Sequence, residues 1–424
     1  MWRWLGWIAL GLALAGAVGL RAVYARQFPL VPDAVGGPPA APPVFDAFGD
    51  DPPVLTVEDW ETRRAPRLRA AFAAWEYGPM PPALPARVLA RETLDGRFAG
   101  EGVRLQQLTI GFGEAGDRGR VNVVLAQPAV RPRALIVMQN FCGNHLALHK
   151  RFASVRSLTD PPGMCDGWLK HPGHLILGRW IEGPPLKRVL DRGYAVAMVY
   201  AADLVPDDRD EAGPALRRLY GPAYDAASPP GALAAWGWLY DALGEVLTGE
   251  NGLSGTPTIA WGHSRNGKAA LLAGAWYPRI AGVIAHQSGR GGAALNSSGV
   301  GESIAQITTA YPHWFTPRFA EIGRQAGAID LDQHQLIALI APRPVLIVAG
   351  DRDRWSDPAG AFRAARGAAP VWELYGRPGL DQTRLSEPDL TRPLATAMRP
   401  GTHGVWTEDW TMFLDFLDAH FPVR

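Results

Sequence analysis

The stretch Thr258-Ile-Ala-Trp-Gly-His-Ser-Arg-Asn-Gly-Lys268 decides how the rest of the chain is interpreted. A short apolar segment runs into Gly262-His-Ser-Arg-Asn-Gly267, and a helix-forming run follows. This order is typical of a strand, a tight turn and a helix, the context in which Gly-x-Ser-x-x-Gly forms a nucleophile elbow. The two glycines allow close backbone approach, and the start of the helix offers N–H groups to an oxyanion. We therefore predict that Ser264 is a nucleophile at the apex of the turn, with its hydroxyl presented above a sheet.

Strand and helix patterns alternate on both sides of this turn. Continuously apolar runs predict strands that are buried on both faces, as in parallel sheets, at 134–138, 194–200, 280–285, 344–350 and 371–375. Two more strands are predicted at 105–110 and 121–126, and helices at 57–76, 186–191, 232–247 and 407–420. Together with the elbow, the alternation predicts an α/β-hydrolase fold: a three-layer αβα sandwich with a mostly parallel central sheet.

Composition narrows the class of protein. The 424 residues are 47% hydrophobic and 20% charged, which is ordinary for a globular protein with a large core. A formal net charge of +1 argues against a nucleic-acid-binding surface, which needs a basic excess. We expect a monomer with a single catalytic domain at 56–424, which carries a long insertion between Gly289 and Gln335.

The N-terminus predicts export. A positive start is followed by an uncharged run from Gly6 to Leu20, nearer to a signal-peptide core than to the roughly 20 residues of a spanning helix. Residues 1–25 are thus a cleaved signal or an uncleaved membrane anchor, and 26–55 are a Pro- and Gly-rich lead-in. In either case we expect a secreted or periplasmic catalytic part. The two cysteines, Cys142 and Cys165, could then form a bridge; in the cytoplasm they would be small buried residues.

The catalytic base is sought after the serine, because the order in this fold is serine, acid, histidine. His403 lies in Gly401-Thr-His-Gly404, between the last predicted strand and the last helix, where the fold places its base. The other nine histidines fit less well: four precede the serine, one adjoins it, three lie in or near the insertion, and His420 comes too late.

The acid is predicted in the segment Gly350-Asp-Arg-Asp-Arg-Trp355, at the end of the strand at 344–350. Asp353 lies far enough into this loop to reach the His403 ring, where a carboxylate would fix the tautomer and stabilise the imidazolium. Asp351 would more often cap the turn and Asp357 is one step more distant, but neither is excluded.

With these residues in place, the chain from about Asn140 to the C-terminus resembles the glucuronoyl esterases, carbohydrate esterase family 15. The resemblance rests on several uncommon motifs: Asn140-Phe-Cys-Gly-Asn-His145, Gly262-His-Ser-Arg-Asn-Gly-Lys268, Ser288-Gly-Arg-Gly-Gly-Ala-Ala-Leu295, Gly301-Glu302, Tyr311-Pro-His-Trp-Phe315, Asp332-Gln-His-Gln-Leu336 and Asp353-Arg-Trp355.

The resemblance implies roles for further residues. Arg265 would add its guanidinium and backbone N–H to the oxyanion site, and Lys268 would bind sugar hydroxyls. Glu302 and Trp355 would hold a glucuronate, one through its hydroxyls and the other through the indole face. The chain departs from the family at Gln287, where many members carry a catalytic Glu or Asp, and Asp353 would have to replace that acid.

The sequence thus predicts a serine esterase with the triad Ser264, His403 and Asp353. Its substrates would be esters of glucuronic or 4-O-methylglucuronic acid on a polysaccharide, such as xylan–lignin links. No cofactor is needed, and no metal-ligand spacing occurs in the sequence. Two alternatives stay open: an esterase on other sugar or acetyl esters, and a catalytically weak, carbohydrate-binding relative.

Overall fold

A computed structural model describes residues 24–33, 42–46, 52–148, 150–160, 165, 177–249, 252–323 and 331–423. Nearly all of the predicted signal or anchor, 1–25, lies outside the described residues, as do His149, His171 and His174. Within the described residues, no helix is both long and apolar enough to span a membrane. The division of the chain into leader, lead-in and catalytic domain therefore stays a prediction.

One nine-stranded sheet forms the centre of the molecule. Its strands, in chain order, are β1 (Ala86–Leu94), β2 (Arg104–Phe112), β3 (Gly119–Gln127), β4 (Leu135–Asn140), β5 (Ala195–Tyr200), β6 (Thr258–His263), β7 (Ile280–His286), β8 (Val345–Gly350) and β9 (Leu394–Arg399). The order across the sheet is β1-β2-β3-β5-β4-β6-β7-β8-β9. The pairs β1–β2, β2–β3 and β3–β5 are antiparallel, and the five remaining pairs are parallel. The mostly parallel sheet is confirmed.

Helices cover both faces of the sheet. The α-helices are α1 (Val57–Asp59), α2 (Ala65–Phe72), α3 (Asn144–Ala147), α4 (Leu186–Asp191), α5 (Ala212–Tyr220), α6 (Ala232–Thr248), α7 (Arg265–Trp276), α8 (Ile304–Ala310), α9 (Pro317–Ile322), α10 (Gln333–Ala338), α11 (Pro358–Leu374) and α12 (Thr407–His420). π-Helical turns at Trp60–Arg64 and Ala73–Tyr77 continue α1 and α2, so the predicted helix at 57–76 is confirmed.

The apolar side chains form two cores, one on each face of the sheet. Alternate residues of β4 divide between them: Leu135 and Val137 join the core under α2, α6, α7, α10 and α11. Ile136 and Met138 join the core under α4 and α12. This division, expected of strands whose side chains alternate between faces, confirms the three-layer sandwich.

The predicted strand at 371–375 is wrong. Val371 and Trp372 are buried in the last turns of α11, and the strand that follows β8 in the sheet is β9. A five-residue apolar run does not distinguish a strand from the buried face of a helix, and Pro370, inside α11, looks like a strand boundary. The structure also adds the edge strand β1, most of whose side chains are exposed. Its sequence therefore lacks the hydrophobic pattern of a core strand.

The parallel strands β6 to β9 bring four distant segments to one edge of the sheet. Their carboxyl ends lead into Ser264, Gln287, Asp351 and Pro400. In open α/β sheets this edge is where ligands bind.

Candidate active site

Ser264 lies at the apex of a sharp turn between β6 and α7. Its backbone has φ 54° and ψ −123°, a conformation rare for any residue other than glycine. The turn is held by a hydrogen bond from the Ser264 N–H to the His286 carbonyl, at 2.8 Å. A Cβ atom on Gly262 would lie 2.0 Å from the Asn266 carbonyl oxygen, so only glycine fits there. The local geometry is that of a nucleophile elbow.

His403 and Asp353 meet across the loops that follow β9 and β8. Asp353 Oδ2 lies 2.7 Å from His403 Nδ1, and the Asp353 side chain is 1% exposed. Burial alone would raise the pKa of Asp353, but the charge and hydrogen bond of His403 and the hydrogen bonds from Ser356 hold it below its ordinary value. An ionised carboxylate on Nδ1 favours the tautomer in which Nε2 is free to accept a proton.

Ser356, which the sequence did not single out, also contacts the base. Its Oγ lies 3.1 Å from His403 Nδ1 and 3.3 Å from the Gln287 carbonyl oxygen, to which it donates. The Ser356 hydroxyl therefore joins the histidine loop to the end of β7.

Gln287 clamps the histidine loop with both halves of its amide. Nε2 donates to the Thr402 carbonyl at 3.1 Å, and Oε1 accepts the Gly404 N–H at 2.8 Å. The two partners lie on either side of His403. An ionised carboxylate at 287 could only accept, so the Thr402 carbonyl would lose one of its two side-chain donors and keep Arg399. The Gln287 amide both donates and accepts a hydrogen bond, which an ionised carboxylate cannot do.

Arg399 and Asp409 support the same loop from beneath. The Arg399 guanidinium donates to the carbonyls of Thr402 and Gly404 at 2.9 and 2.7 Å and to Asp409 at 3.0 Å. Asp409 accepts in turn from the Trp406 N–H at 2.7 Å. Burial alone would raise the pKa of Asp409, but His286 and Arg399 hold it below its ordinary value. The buried ion pair between Arg399 and Asp409 thus holds the conformation of the loop that carries His403.

Two buried histidines lie behind the base. The His263 ring lies 4.6 Å from the His403 ring, centroid to centroid, and His263 Nδ1 is 3.2 Å from His286 Nδ1. His286 Nε2 is in turn 3.2 Å from Asp409 Oδ1. Burial lowers the pKa of both histidines, of His263 well below its ordinary value. Burial therefore disfavours a positive charge on either ring, and the two rings fill the space behind His403.

Arg265 is held in place by a carboxylate that the sequence analysis missed. Arg265 NH1 lies 3.0 Å from Asp207 Oδ2, and its guanidinium lies 4.5 Å from the centre of the Phe141 ring. Asp207 Oδ1 is contacted in addition by His313 Nε2 at 2.9 Å and by the Trp314 indole N–H at 2.6 Å. These contacts fix the orientation of the Arg265 guanidinium.

Cys142 and Cys165 form a disulfide, one of the two states that the sequence left open for them. The bridge anchors the loop that follows β4, and that loop contains Phe141. Since Phe141 stacks on Arg265 and also contacts the His263 ring at 5.6 Å, the disulfide supports the arginine side of the site.

Lys268 is more enclosed than its predicted role suggests. It is 4% exposed, and its ammonium group donates to the carbonyl of Arg290 at 2.7 Å and to that of Ser288. Burial lowers the pKa of Lys268 to about 8, while the Glu302 charge acts to raise it. An ammonium group has three donors, so two protein carbonyls leave one for a ligand.

Glu302 and Trp355 lie side by side. The Glu302 N–H donates to the Trp355 carbonyl at 3.1 Å, and the Trp355 side chain is 53% exposed. Burial raises the pKa of Glu302, and the charges of Lys268 and Arg290 act against that increase. The exposed Trp355 is thus joined through its backbone to the half-buried Glu302, whose carboxyl is within electrostatic reach of Lys268.

The structure gives the other two candidate acids, Asp351 and Asp357, hydrogen-bond partners of their own. Asp351 Oδ1 accepts the Gly401 N–H at 2.7 Å, and Asp357 caps α11 by accepting the Gly360 N–H at 2.9 Å. Neither takes the position of Asp353. Among the described residues, no hydrogen bond joins the Ser264 hydroxyl to the His403 ring; catalytic hydrogen bonds often tighten only when substrate binds.

Some of the site residues that the sequence analysis did not assign lie in a recognisable motif. His313 and Trp314, the partners of Asp207, lie within Tyr311-Pro-His-Trp-Phe315, one of the motifs that carried the family resemblance. Asp207 lies in an Asp- and Pro-rich loop after β5 that resembles an ordinary solvated turn. Arg399 and Asp409 flank the predicted histidine loop, but nothing in their spacing indicates an ion pair.

Comparison with known proteins gives a consistent result. The family model described as "Glucuronyl esterase, fungi" matches residues 192–376. The chain is 30% identical to Carbohydrate esterase MZ0003, from an unknown prokaryotic organism, over 88% of this chain and 87% of that protein. It is 26% identical to 4-O-methyl-glucuronoyl methylesterase 1 of Wolfiporia cocos, over 78% and 71% of the two chains. Among solved structures, the glucuronoyl esterase from Solibacter usitatus superposes with a TM-score of 0.74 at 27% identity, covering 91% of this chain and 99% of that one.

Proposed function

The chain belongs to the glucuronoyl esterases, carbohydrate esterase family 15, and we propose that this carboxylic ester hydrolase cleaves esters of glucuronic or 4-O-methylglucuronic acid. The observation that carries the proposal is the 2.7 Å contact between the buried Asp353 carboxylate and His403, at the sheet edge where the elbow presents Ser264. The name of the Wolfiporia cocos relative, a 4-O-methyl-glucuronoyl methylesterase, supports the choice of substrate.

The proposed reaction proceeds through a covalent intermediate. His403 Nε2 takes the Ser264 proton as the hydroxyl oxygen attacks the uronate carbonyl carbon. Asp353 stays ionised and stabilises the imidazolium. Arg265 and backbone N–H groups at the start of α7 stabilise the negative oxygen of the tetrahedral intermediate. The alcohol leaves with the proton from His403, and water, activated by the same histidine, releases the uronate from Ser264.

Recognition of the sugar falls to residues outside the triad. Lys268 would use its remaining N–H on a hydroxyl, Glu302 would accept from hydroxyls, and Trp355 would cover the apolar face of the ring. Their grouping supports a uronate over a simple acetyl ester, because an acetyl group has no hydroxyls for Lys268 and Glu302 to bind.

The acid role belongs to Asp353 in this proposal, in place of the carboxylate that many relatives carry at position 287. Both ends of the Gln287 amide are occupied by the backbone of the histidine loop. The clamp and the acid are thus two different side chains in this protein.

We also propose that the catalytic part works outside the cytoplasm as a monomer, with residues 1–25 as signal or anchor and with xylan–lignin esters as natural substrates. The Cys142–Cys165 disulfide supports this location, because disulfides persist in oxidising compartments.

The test is hydrolysis of benzyl glucuronate by residues 26–424, compared with the variants Ser264→Ala and Asp353→Asn. We expect kcat to fall by about 10⁴-fold or more in the serine variant and by about 10²- to 10⁴-fold in the aspartate variant. Asp381→Asn, whose exposed carboxylate contacts Arg392, is the matched control and should retain full activity.

Each other outcome has a definite meaning. Wild-type protein that is inert on benzyl glucuronate but cleaves acetyl esters would overturn the substrate and retain the reaction. Inertness on both would favour a carbohydrate-binding relative. Full activity of Asp353→Asn would remove Asp353 from the triad.

A further inference from the structure

A cleft of about 640 Å³ lies outside the candidate active site, between α4 and the start of α12. Phe98, Leu148 and Leu186 contribute apolar surface, while Arg151, Arg179 and Arg188 contribute positive charge. We call these six residues and Trp180, which also lines the cleft, the cationic cleft. Its volume falls in the range of about 300–1,000 Å³ that is usual for small-ligand sites.

The cationic cleft has an excess of positive charge that its own carboxylates do not balance. Its lining includes five basic side chains and one acidic side chain. Two of the basic residues are neutralised: Lys187 pairs with Asp191 at 2.7 Å, and Arg192 pairs with Asp415 at 2.8 Å. Three guanidiniums then remain in a chain whose formal net charge is only +1.

These three guanidiniums contact rings and a hydroxyl instead of carboxylates. Arg151 lies 4.3 Å from the centre of the Phe98 ring, and Arg179 lies 4.9 Å from that of Trp180. Arg188 donates to the Thr411 hydroxyl at 2.9 Å. In the part of the chain that the structure describes, none of the three forms an ion pair. Their donors therefore stay available to an anion.

We propose that the cationic cleft is a second binding site, which takes the carboxylate of an acidic sugar in a polysaccharide. Guanidiniums bind carboxylates through paired N–H donors, and the apolar surface accepts the C–H face of a sugar ring. This site goes beyond the proposed esterase reaction and does not depend on it, because no residue of the cleft is assigned to the chemistry.

The cleft is structurally continuous with the loop that carries His403. The Trp180 backbone N–H donates to the Val405 carbonyl at 3.0 Å, and its indole N–H donates to the Thr407 hydroxyl at 3.1 Å. Thr407 lines the cleft and is four residues from His403, so the two Cα atoms lie at most about 14 Å apart. The cleft therefore lies close to the loop that carries His403.

The test is retardation of the whole chain in native gels that contain glucuronoxylan in its free-acid form, at low ionic strength. We expect the double variant Arg151→Gln, Arg179→Gln to bind about tenfold more weakly. The matched control is Arg217→Gln, an exposed arginine over the Tyr224 ring at 5.6 Å and outside the cleft, which should bind as wild type. Carboxyl-reduced xylan should cause no retardation in the wild type.

A second readout separates the cleft from the catalytic centre. The double variant should hydrolyse benzyl glucuronate with unchanged kcat/KM, and a fall would place these arginines in the catalytic site and overturn a separate site. Unchanged retardation of the double variant would overturn the proposal, as would equal binding of carboxyl-reduced xylan. Equal displacement by dextran sulfate and acidic xylan at matched charge would do the same, since it indicates a non-specific cationic surface. If the wild type hydrolyses no ester, the proposed function fails while the binding result still applies.

Discussion

The serine side and the histidine side of the site are built in opposite ways. Ser264 is placed mainly by one continuous segment, β6 and α7, within which Gly262 and Asn266 pack against each other, with one backbone hydrogen bond to β7. His403 is placed by side chains from three other segments: Gln287 after β7, Asp353 after β8, and Asp409 on α12. Local sequence can specify the first geometry, whereas the second exists only once the sheet has assembled.

The difference predicts how substitutions on each side of the site reduce activity. A change on the serine side should act through the backbone and through fit, because the turn has no spare room. A change on the histidine side should act through charge and hydrogen bonding, often at residues that never touch substrate. Gly262→Ala and Gln287→Glu test this contrast directly, Asp207→Asn tests the arginine that follows the serine, and Glu76→Gln tests stability outside both sides. The variants follow from the largest expected effect to the smallest.

Gly262→Ala should be the most damaging. Its new methyl group would lie 2.0 Å from the Asn266 carbonyl oxygen, so the start of α7 must move. Since misplacement by about 1 Å can cost 10²-fold in rate, we expect a loss of at least about 10²-fold in kcat, with a lower melting temperature. Gly213→Ala on α5, where the nearest atom would be 3.6 Å away, is the control. Equal, mild effects in both variants would show that the elbow is not tightly packed.

Asp207→Asn tests the support of Arg265. Without the carboxylate the guanidinium is free to turn away from the oxyanion. We expect kcat to fall by about tenfold to hundredfold, less than the roughly 10²- to 10³-fold that loss of an oxyanion donor itself costs, with KM little changed. The measurement is steady-state kinetics on benzyl glucuronate, beside Asp210→Asn as an exposed control. A rise in KM alone would assign Asp207 to substrate binding.

Gln287→Glu tests whether the clamp needs a donor. A protonated Glu can donate to the Thr402 carbonyl as the amide does, but an ionised Glu cannot. The ratio of variant to wild-type kcat should therefore be near one at acid pH and should fall as the pH rises, by up to about tenfold. Gln287→Ala, which loses both hydrogen bonds, should show a low ratio at every pH. A variant more active than wild type at neutral pH would mean that the position still prefers an acid.

Glu76→Gln should leave activity intact and change only stability. Glu76 is buried beside Gln333 and Asn296, and burial raises its pKa from 4.5 to about 8. Because the folded-state pKa is the higher one, its contribution to the free energy of unfolding is complete below pH 4.5 and is lost as the pH rises through about 8. The wild-type melting temperature should thus fall more between pH 5 and 8.5 than that of the variant. Glu387→Gln, 70% exposed, should follow the wild-type curve, and parallel curves for wild type and Glu76→Gln would contradict the prediction.

The fold was predicted correctly where the periodicity of apolar residues was strong. The prediction failed where that periodicity was ambiguous. The apolar strands β4, β5, β7 and β8 stand within one or two residues of their predicted bounds, since a strand buried on both faces must be apolar throughout. The segment 371–375 failed because the buried end of α11 has the same short apolar pattern. The strand β1 was missed because most of its side chains face solvent, and only its pairing with β2 makes it a strand.

The sequence by itself determined the elbow, the layer order and the segments that hold the candidate triad, because these follow from local backbone requirements and from the period of apolar residues. Tertiary structure alone decided which polar side chains meet at the site. Asp353 contacts His403 across 50 residues, Asp207 meets His313 across 106, and Gln287 reaches Gly404 across 117. Hydrogen bonds and ion pairs depend on distances of about 3 Å in space, and separation along the chain carries no information about them.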